Sequence, residues 1–147
     1  MHPGRRRSSD RIARAIRAVL DSSVFVRAVI ENSEAALGWL DSLEKKHTEG
    51  FAPDLVWLEV ASALRRHVAS GVIDASTAFE ALGRILALPL SVHRLDTLAE
   101  PALARALDLG LSVYDASYLT LAEVADAVLV TADGQLAQAA VRAELIA

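Results

Sequence analysis

The 147-residue chain has no cysteine. This excludes a disulfide framework, thiolate metal sites and cysteine nucleophiles together, and it fits a reducing compartment. Aromatic residues make up only 5%. No apolar run approaches the roughly 18–20 uncharged residues that a membrane helix needs. The apolar stretch after the early arginines is broken by Arg17 and Asp21, so no secretory signal is visible. The expected location is the cytoplasm, with no membrane partner.

Basic charge is scarce outside the start of the chain. Arg5, Arg6, Arg7, Arg11, Arg14 and Arg17 are six of the 15 basic residues, against Asp10 alone. The remainder holds nine basic and 18 acidic residues, a formal −9. Such an acidic body argues against a simple DNA-binding module, because polyanions gather on basic surfaces. A polyanionic substrate would need metal ions, a local arginine patch or the basic arm.

What the chain does have is apolar content, 53%, with a mean hydropathy of +0.32. A single domain of this length can bury about 68–70% of its unfolded surface. Residues 1–14 read as a basic flexible arm and 15–147 as one domain. Ile16 to Leu20 suits a buried strand, and a helix begins by Val24. Asn32 or Ser33 caps a helix carrying Leu37, Leu40 and Leu43. Phe51-Ala52 reads as a short strand, with Pro53 opening a helix that runs from about 54 to 69. Asp74 caps another, with Phe79, Leu82, Ile85 and Leu86 turned inward. A strand over Leu90–Leu95 and a helix from the Thr97–Pro101 region to Gly110 follow. Then come a helix over 113–125, a strand over 127–131, a helix over 133–142 and a short terminal strand. Strands separated by helices predict an α/β fold, a three-layer α/β/α sandwich around a mostly parallel sheet.

Four acids stand out in this frame. Asp21 and Asp133 follow two of the predicted strands, where ligands of open parallel sheets bind. Glu59 and Asp115 interrupt the apolar faces of two helices. Each has a plain alternative. Asp21 and Asp133 can cap helices, and Asp115 can complete a capping box begun at Ser112. Glu59 has Leu55, Val56, Ser62 and Ala63 as helical neighbours, a core-directed face where a carboxylate must be paired, protonated or metal-bound. Arg65 and Arg66 are read as pointing elsewhere on that helix. Two carboxylates about 4 Å apart repel by roughly 4 kcal/mol at an effective dielectric of 20. A convergent cluster therefore calls for a hard cation, Mg²⁺ or Mn²⁺, and for a phosphate substrate.

The words around these acids are Val19-Leu20-Asp21-Ser22-Ser23-Val24, Ala52-Pro53-Asp54-Leu55 running into Leu58-Glu59-Val60-Ala61-Ser62-Ala63-Leu64-Arg65-Arg66, Leu111-Ser112-Val113-Tyr114-Asp115-Ala116-Ser117-Tyr118, and Leu129-Val130-Thr131-Ala132-Asp133. In this order and spacing they resemble the PIN-domain ribonucleases, specifically VapC-type toxins of toxin–antitoxin pairs. The resemblance covers residue 16 to the end. It implies a metal-dependent endoribonuclease that uses Mg²⁺ or Mn²⁺, with Asp21, Glu59, Asp115 and Asp133 as catalytic and metal-ligating positions. It also implies RNA as substrate, a homodimer and a cognate antitoxin. Ser22 or Ser23, and Thr131, match hydroxyls beside the acids. The Arg-rich lead departs from the pattern, and an upstream start, an added leader and an RNA-binding arm all remain open for it.

Two other functions compete. A PIN-like module could bind RNA or protein without cutting. A phosphatase or a receiver phosphorylated on Asp21 is a third reading, but it leaves Glu59 unexplained. His47, His67 and His93 lack metal-ligand spacing, and no phosphate-binding loop or nucleophile elbow is present. Trp39 and Trp57 read as packing or subunit-interface residues rather than base-stacking ones.

Overall fold

Strand β1 (Ile16–Leu20) is the strand around which the molecule is arranged. The computed structural model describes residues 14–147, and the basic arm expected over 1–14 lies, apart from Arg14, outside the described residues. After β1 come α1 (Ser22–Val29), α2 (Glu34–Glu44), β2 (Thr48–Pro53), α3 (Val56–Ala69), α4 (Ala75–Leu86) and β3 (Leu90–His93). The second half holds α5 (Leu95–Leu109), α6 (Val113–Val124), β4 (Val128–Thr131), α7 (Gly134–Ala139) and β5 (Ala143–Leu145). All four strand pairings are parallel, in the order β3-β2-β1-β4-β5. The sheet is thus parallel throughout, where the sequence suggested mostly parallel.

Alternation along the strands divides the core into two layers. Ala18, Leu20, Ala52 and Val130 pack on one face, against Phe25 of α1, Leu40 and Leu43 of α2, Val56 and Val60 of α3 and Ile85 of α4. Val19, Phe51 and Leu129 pack on the other, against Leu98 of α5, Tyr118 and Leu121 of α6 and Leu136 of α7. Fully burying one such side chain contributes about 1.5–3 kcal/mol, so the two aliphatic layers specify the three-layer sandwich. Among the described residues, no helix is long and apolar enough to cross a membrane.

Local chemistry accounts for most boundaries. Ser33 and Asp74 cap α2 and α4 through Ala36 N and Thr77 N, as expected of such residues. Pro53 does not open a helix. It ends β2, paired with His93 on β3, and α3 starts three residues later. Helix α5 takes Leu95 away from the strand predicted over Leu90–Leu95, and Pro101 sits inside it rather than at its start. Helix α7 is shorter than the predicted 133–142 span. Phe79 and Leu86 are 75% and 52% exposed. They correct the inward placement of those two α4 residues; Ile85 is buried and Leu82 packs against the core as expected, and the helix also buries Ala81.

The chain steps from β1 outward to β2 and β3, then crosses to the other side of β1 for β4 and β5. The order reverses between β1 and β4, so a crevice opens beyond their carboxyl ends. Leu20 pairs with Val130 there, and Asp21 N donates to Val130 O at 3.0 Å.

Candidate active site

Asp21 is the first residue past β1 and is only 8% exposed. Although it stands at the N-cap position of α1, its side chain makes no capping hydrogen bond, so capping does not explain it. Three hydroxyls turn toward the carboxylate instead. Thr131 Oγ1 donates to Oδ2 at 2.7 Å, Ser23 Oγ to Oδ2 at 3.1 Å and Ser22 Oγ to Oδ1 at 3.3 Å. Bonds of this kind fix the position of the carboxylate. Ser23 Oγ also accepts from Ala132 N at 3.1 Å, tying α1 to the segment after β4.

Asp133 enters from that segment. Thr131 Oγ1 accepts from Asp133 N at 3.0 Å, so one buried hydroxyl holds Asp21 by its side chain and Asp133 by its backbone. The Asp133 carboxylate caps α7, accepting from Gln135 N at 2.9 Å and Leu136 N at 3.2 Å through Oδ1. The capping role considered for it is therefore real. It leaves Oδ2 without a bond among the described residues.

Glu59 and Asp115 lie in the first turns of α3 and α6, where the helix dipole favours a negative charge. Glu59 is half-buried, not enclosed in the core. Its Oε1 accepts from the hydroxyl of fully buried Tyr118 at 2.5 Å. Burial raises the Glu59 pKa, the Tyr118 bond opposes the rise, and the charges of Asp21 and Asp115 add to it. Asp115 is likewise raised, first by burial and then by Asp21, with Ser112 opposing and Asp133 adding. Ser112 caps α6 by accepting from Asp115 N at 3.0 Å. Burial and the neighbouring Glu59 push the Tyr118 hydroxyl far up, so it remains a donor.

The fold thus brings all four acids to one rim. Glu59 and Asp115 each sense Asp21, and Asp115 also senses Asp133. Among the described residues, no three Asp, Glu or His side chains already form a closed cation cage. Mg²⁺ does not require one, since it keeps several waters and takes one or two carboxylates plus substrate phosphate oxygens. The donor set is all hard oxygen, and its mutual repulsion is of the kind a divalent cation relieves. The residues therefore fit Mg²⁺ or Mn²⁺.

Sequence reasoning overlooked Tyr118 as a site residue. The signal was available: it lies three residues after Asp115, on a helix whose next turns are entirely buried, and a buried tyrosine hydroxyl needs a partner. The placement of Arg66 also needs correcting. Seven residues past Glu59 is almost two full turns, so Arg66 returns to the same face and lines the same groove as Glu59. It forms no ion pair with Glu59, in keeping with the expectation that it is not a partner.

Comparison with known proteins agrees with this architecture. The model of the PIN domain matches residues 18–142. The chain is 34% identical over 128 residues to ribonuclease VapC3 of Pyrobaculum aerophilum, covering 84% of this chain and 94% of that protein. A crystal structure of PAE2754 from the same organism superposes with a TM-score of 0.68 at 25% identity, over 88% of both chains. VapBC2 of Rickettsia felis, solved bound to a promoter DNA fragment, has a TM-score of 0.65 at 15% identity and shares the fold over 90% of this chain and 100% of that one. With its parallel sheet, its acid-lined rim and a family match spanning nearly the whole described domain, this chain belongs to the PIN-domain family.

Proposed function

We propose that the protein is a metal-dependent endoribonuclease that hydrolyses RNA phosphodiester bonds, and that it acts as the VapC-type toxin of a toxin–antitoxin pair. The observation that carries this reading is the assembly around Asp21: a nearly buried carboxylate bonded by Thr131, Ser22 and Ser23 and electrostatically coupled to Glu59 and Asp115. The 34% identity to a protein named a ribonuclease supports RNA as the substrate. Among these side chains, Asp21 is the pre-set ligand, with its lone pairs fixed by the three hydroxyls. Burial raises the pKa values of Glu59 and Asp115, and the charge of Asp21 adds to the rise. A nearby cation offsets this effect, and Asp133 offers its remaining oxygen. When bound, Mg²⁺ or Mn²⁺ would supply charge neutralisation for the phosphate and an acidified water for in-line attack.

An antitoxin partner and a homodimer belong to the same proposal. Leu103 and Leu107 on α5, with Val113 and Tyr114 at the start of α6, are 51%, 76%, 43% and 67% exposed. Apolar exposure of this kind favours a protein contact.

The test is cleavage of RNA with Mg²⁺ or Mn²⁺, with chelator, and by Asp21→Asn. Cleavage is expected only in the first condition, with the variant down by at least about a hundredfold, a loss of about 2.7 kcal/mol in transition-state stabilisation. Activity that persists in chelator, or in Asp21→Asn, contradicts the mechanism. RNA binding that survives chelation without any cutting favours a non-catalytic module instead.

A further inference from the structure

A groove of about 370 Å³ runs between α1 and α3, starting at Ser22, Ser23 and Glu59 and continuing past Ser62 to Arg66 and His67. The same spacing that aligns Glu59 with Arg66 places the arginine about 10 Å farther along α3. Arg66 is exposed, and it forms no ion pair among the described residues. Other cations, including Arg65 and Arg84, are also without an ion pair among the described residues, but Arg66 alone of these lines the groove that begins at Glu59. Arg27, on the opposite wall, has only a 3.4 Å pair with Glu31. His67 Nδ1 bonds Ala63 O at 2.8 Å, which orients the ring and leaves Nε2 as its remaining polar atom.

We propose that this groove is the backbone-binding track of the RNA, with Arg66 as its principal phosphate ligand, serving a phosphodiester at a distance from the one that meets Asp21. The inference rests on the ribonuclease reading for the identity of the polyanion. Its physical basis is independent: an acidic body must present cationic groups locally if RNA is to approach a cluster of carboxylates. An unpaired guanidinium offers the planar fork that recognises phosphate oxygens. Glu59 and Glu31 also line the groove, Glu31 paired with Arg27, so the phosphate is placed toward the Arg66 and His67 end. The contact reads no base, so it adds affinity without sequence preference.

The experiment measures binding of a single-stranded RNA oligonucleotide to the full chain, with Ca²⁺ present to hold turnover off, across a salt series. Arg66→Gln is expected to weaken binding about tenfold at low salt and to reduce the magnitude of the log–log salt slope by about 0.7, the value for one phosphate contact on a single strand. Arg66→Lys, which keeps the charge without the planar fork, should restore the salt slope and recover only part of the affinity. Arg84→Gln, on the exposed side of α4 and outside the groove, should match the unmodified protein. If Arg66→Gln binds within twofold with an unchanged slope while the unmodified protein binds and cleaves RNA, the track is overturned and the nuclease reading stands. If no cation supports cleavage yet Arg66→Gln still loses affinity and slope, the track stands and the nuclease reading falls. Failure of the unmodified protein to bind RNA overturns the track.

Discussion

Thr131 and Asp21 are 110 residues apart in sequence, yet the threonine hydroxyl donates to Asp21 Oδ2 at 2.7 Å from a fully buried position. The bond closes the carboxyl ends of β1 and β4 at the point where the strand order reverses. The long crossover must therefore be complete before the Asp21 carboxylate acquires this orientation. Thr131→Val keeps the shape but removes the donor to Asp21 and the acceptor for Asp133 N. Losing these buried bonds should cost about 1–3 kcal/mol of stability and lower kcat/KM by about tenfold or more. Chemical denaturation and RNA cleavage assays check both. Unchanged activity in Thr131→Val would show that the hydroxyl has no part in holding the site.

Tyr118 makes a second prediction. Tyr118→Phe leaves the buried ring in place and removes the hydroxyl that donates to Glu59. Because that bond opposes the rise in the Glu59 pKa, its loss should raise the pKa further. The acidic limb of the kcat/KM profile is then expected to move to higher pH, with activity at neutral pH down by about tenfold. A purely structural tyrosine would change stability and leave the limb where it was.

The raised carboxyl pKa values of Glu59 and Asp115 also set a stability trend in metal-free protein. A carboxyl whose folded pKa exceeds its unfolded value binds more protons when folded. Stability is therefore favoured at lower pH and is lost as pH rises through the folded value. From neutrality down toward the ordinary carboxylate range, melting temperature should rise, and saturating Mg²⁺ or Mn²⁺ should flatten the trend. Asp115→Asn should weaken the pH dependence and raise the neutral-pH Tm of metal-free protein by about 1–3 °C, a small effect because the group is half-exposed and screened. Destabilisation by the same substitution would assign Asp115 to capping of α6.

Much of this was legible in the sequence because it depends on local chemistry. The apolar runs at Ile16–Leu20 and Val128–Thr131 became adjacent parallel strands, and Ser33 and Asp74 announced their helices. Pro53 was misread because a proline suits both a helix start and the last residue of a strand, and only pairing with β3 decides between them. Phe79 looked like core because helical periodicity identifies an apolar face without saying what covers it. The four acids were visible as interruptions of apolar patterns. Their mutual placement, and the Tyr118 bond to Glu59, depend on contacts between opposite faces of the sheet that periodicity does not encode. Arg66 could have been placed by counting turns from Glu59, although its lack of an ion-pair partner could not.

The proposed nuclease chemistry requires these acids to share a divalent cation at the rim of the sheet. Its most direct test is a crystal structure with Mn²⁺, located by anomalous scattering. A peak is expected in the crevice beyond β1 and β4, within ligand distance of Asp21 and of at least one of Glu59, Asp115 or Asp133, and it should disappear in Asp21→Asn. Mn²⁺ bound only elsewhere in a protein that cleaves RNA would contradict it.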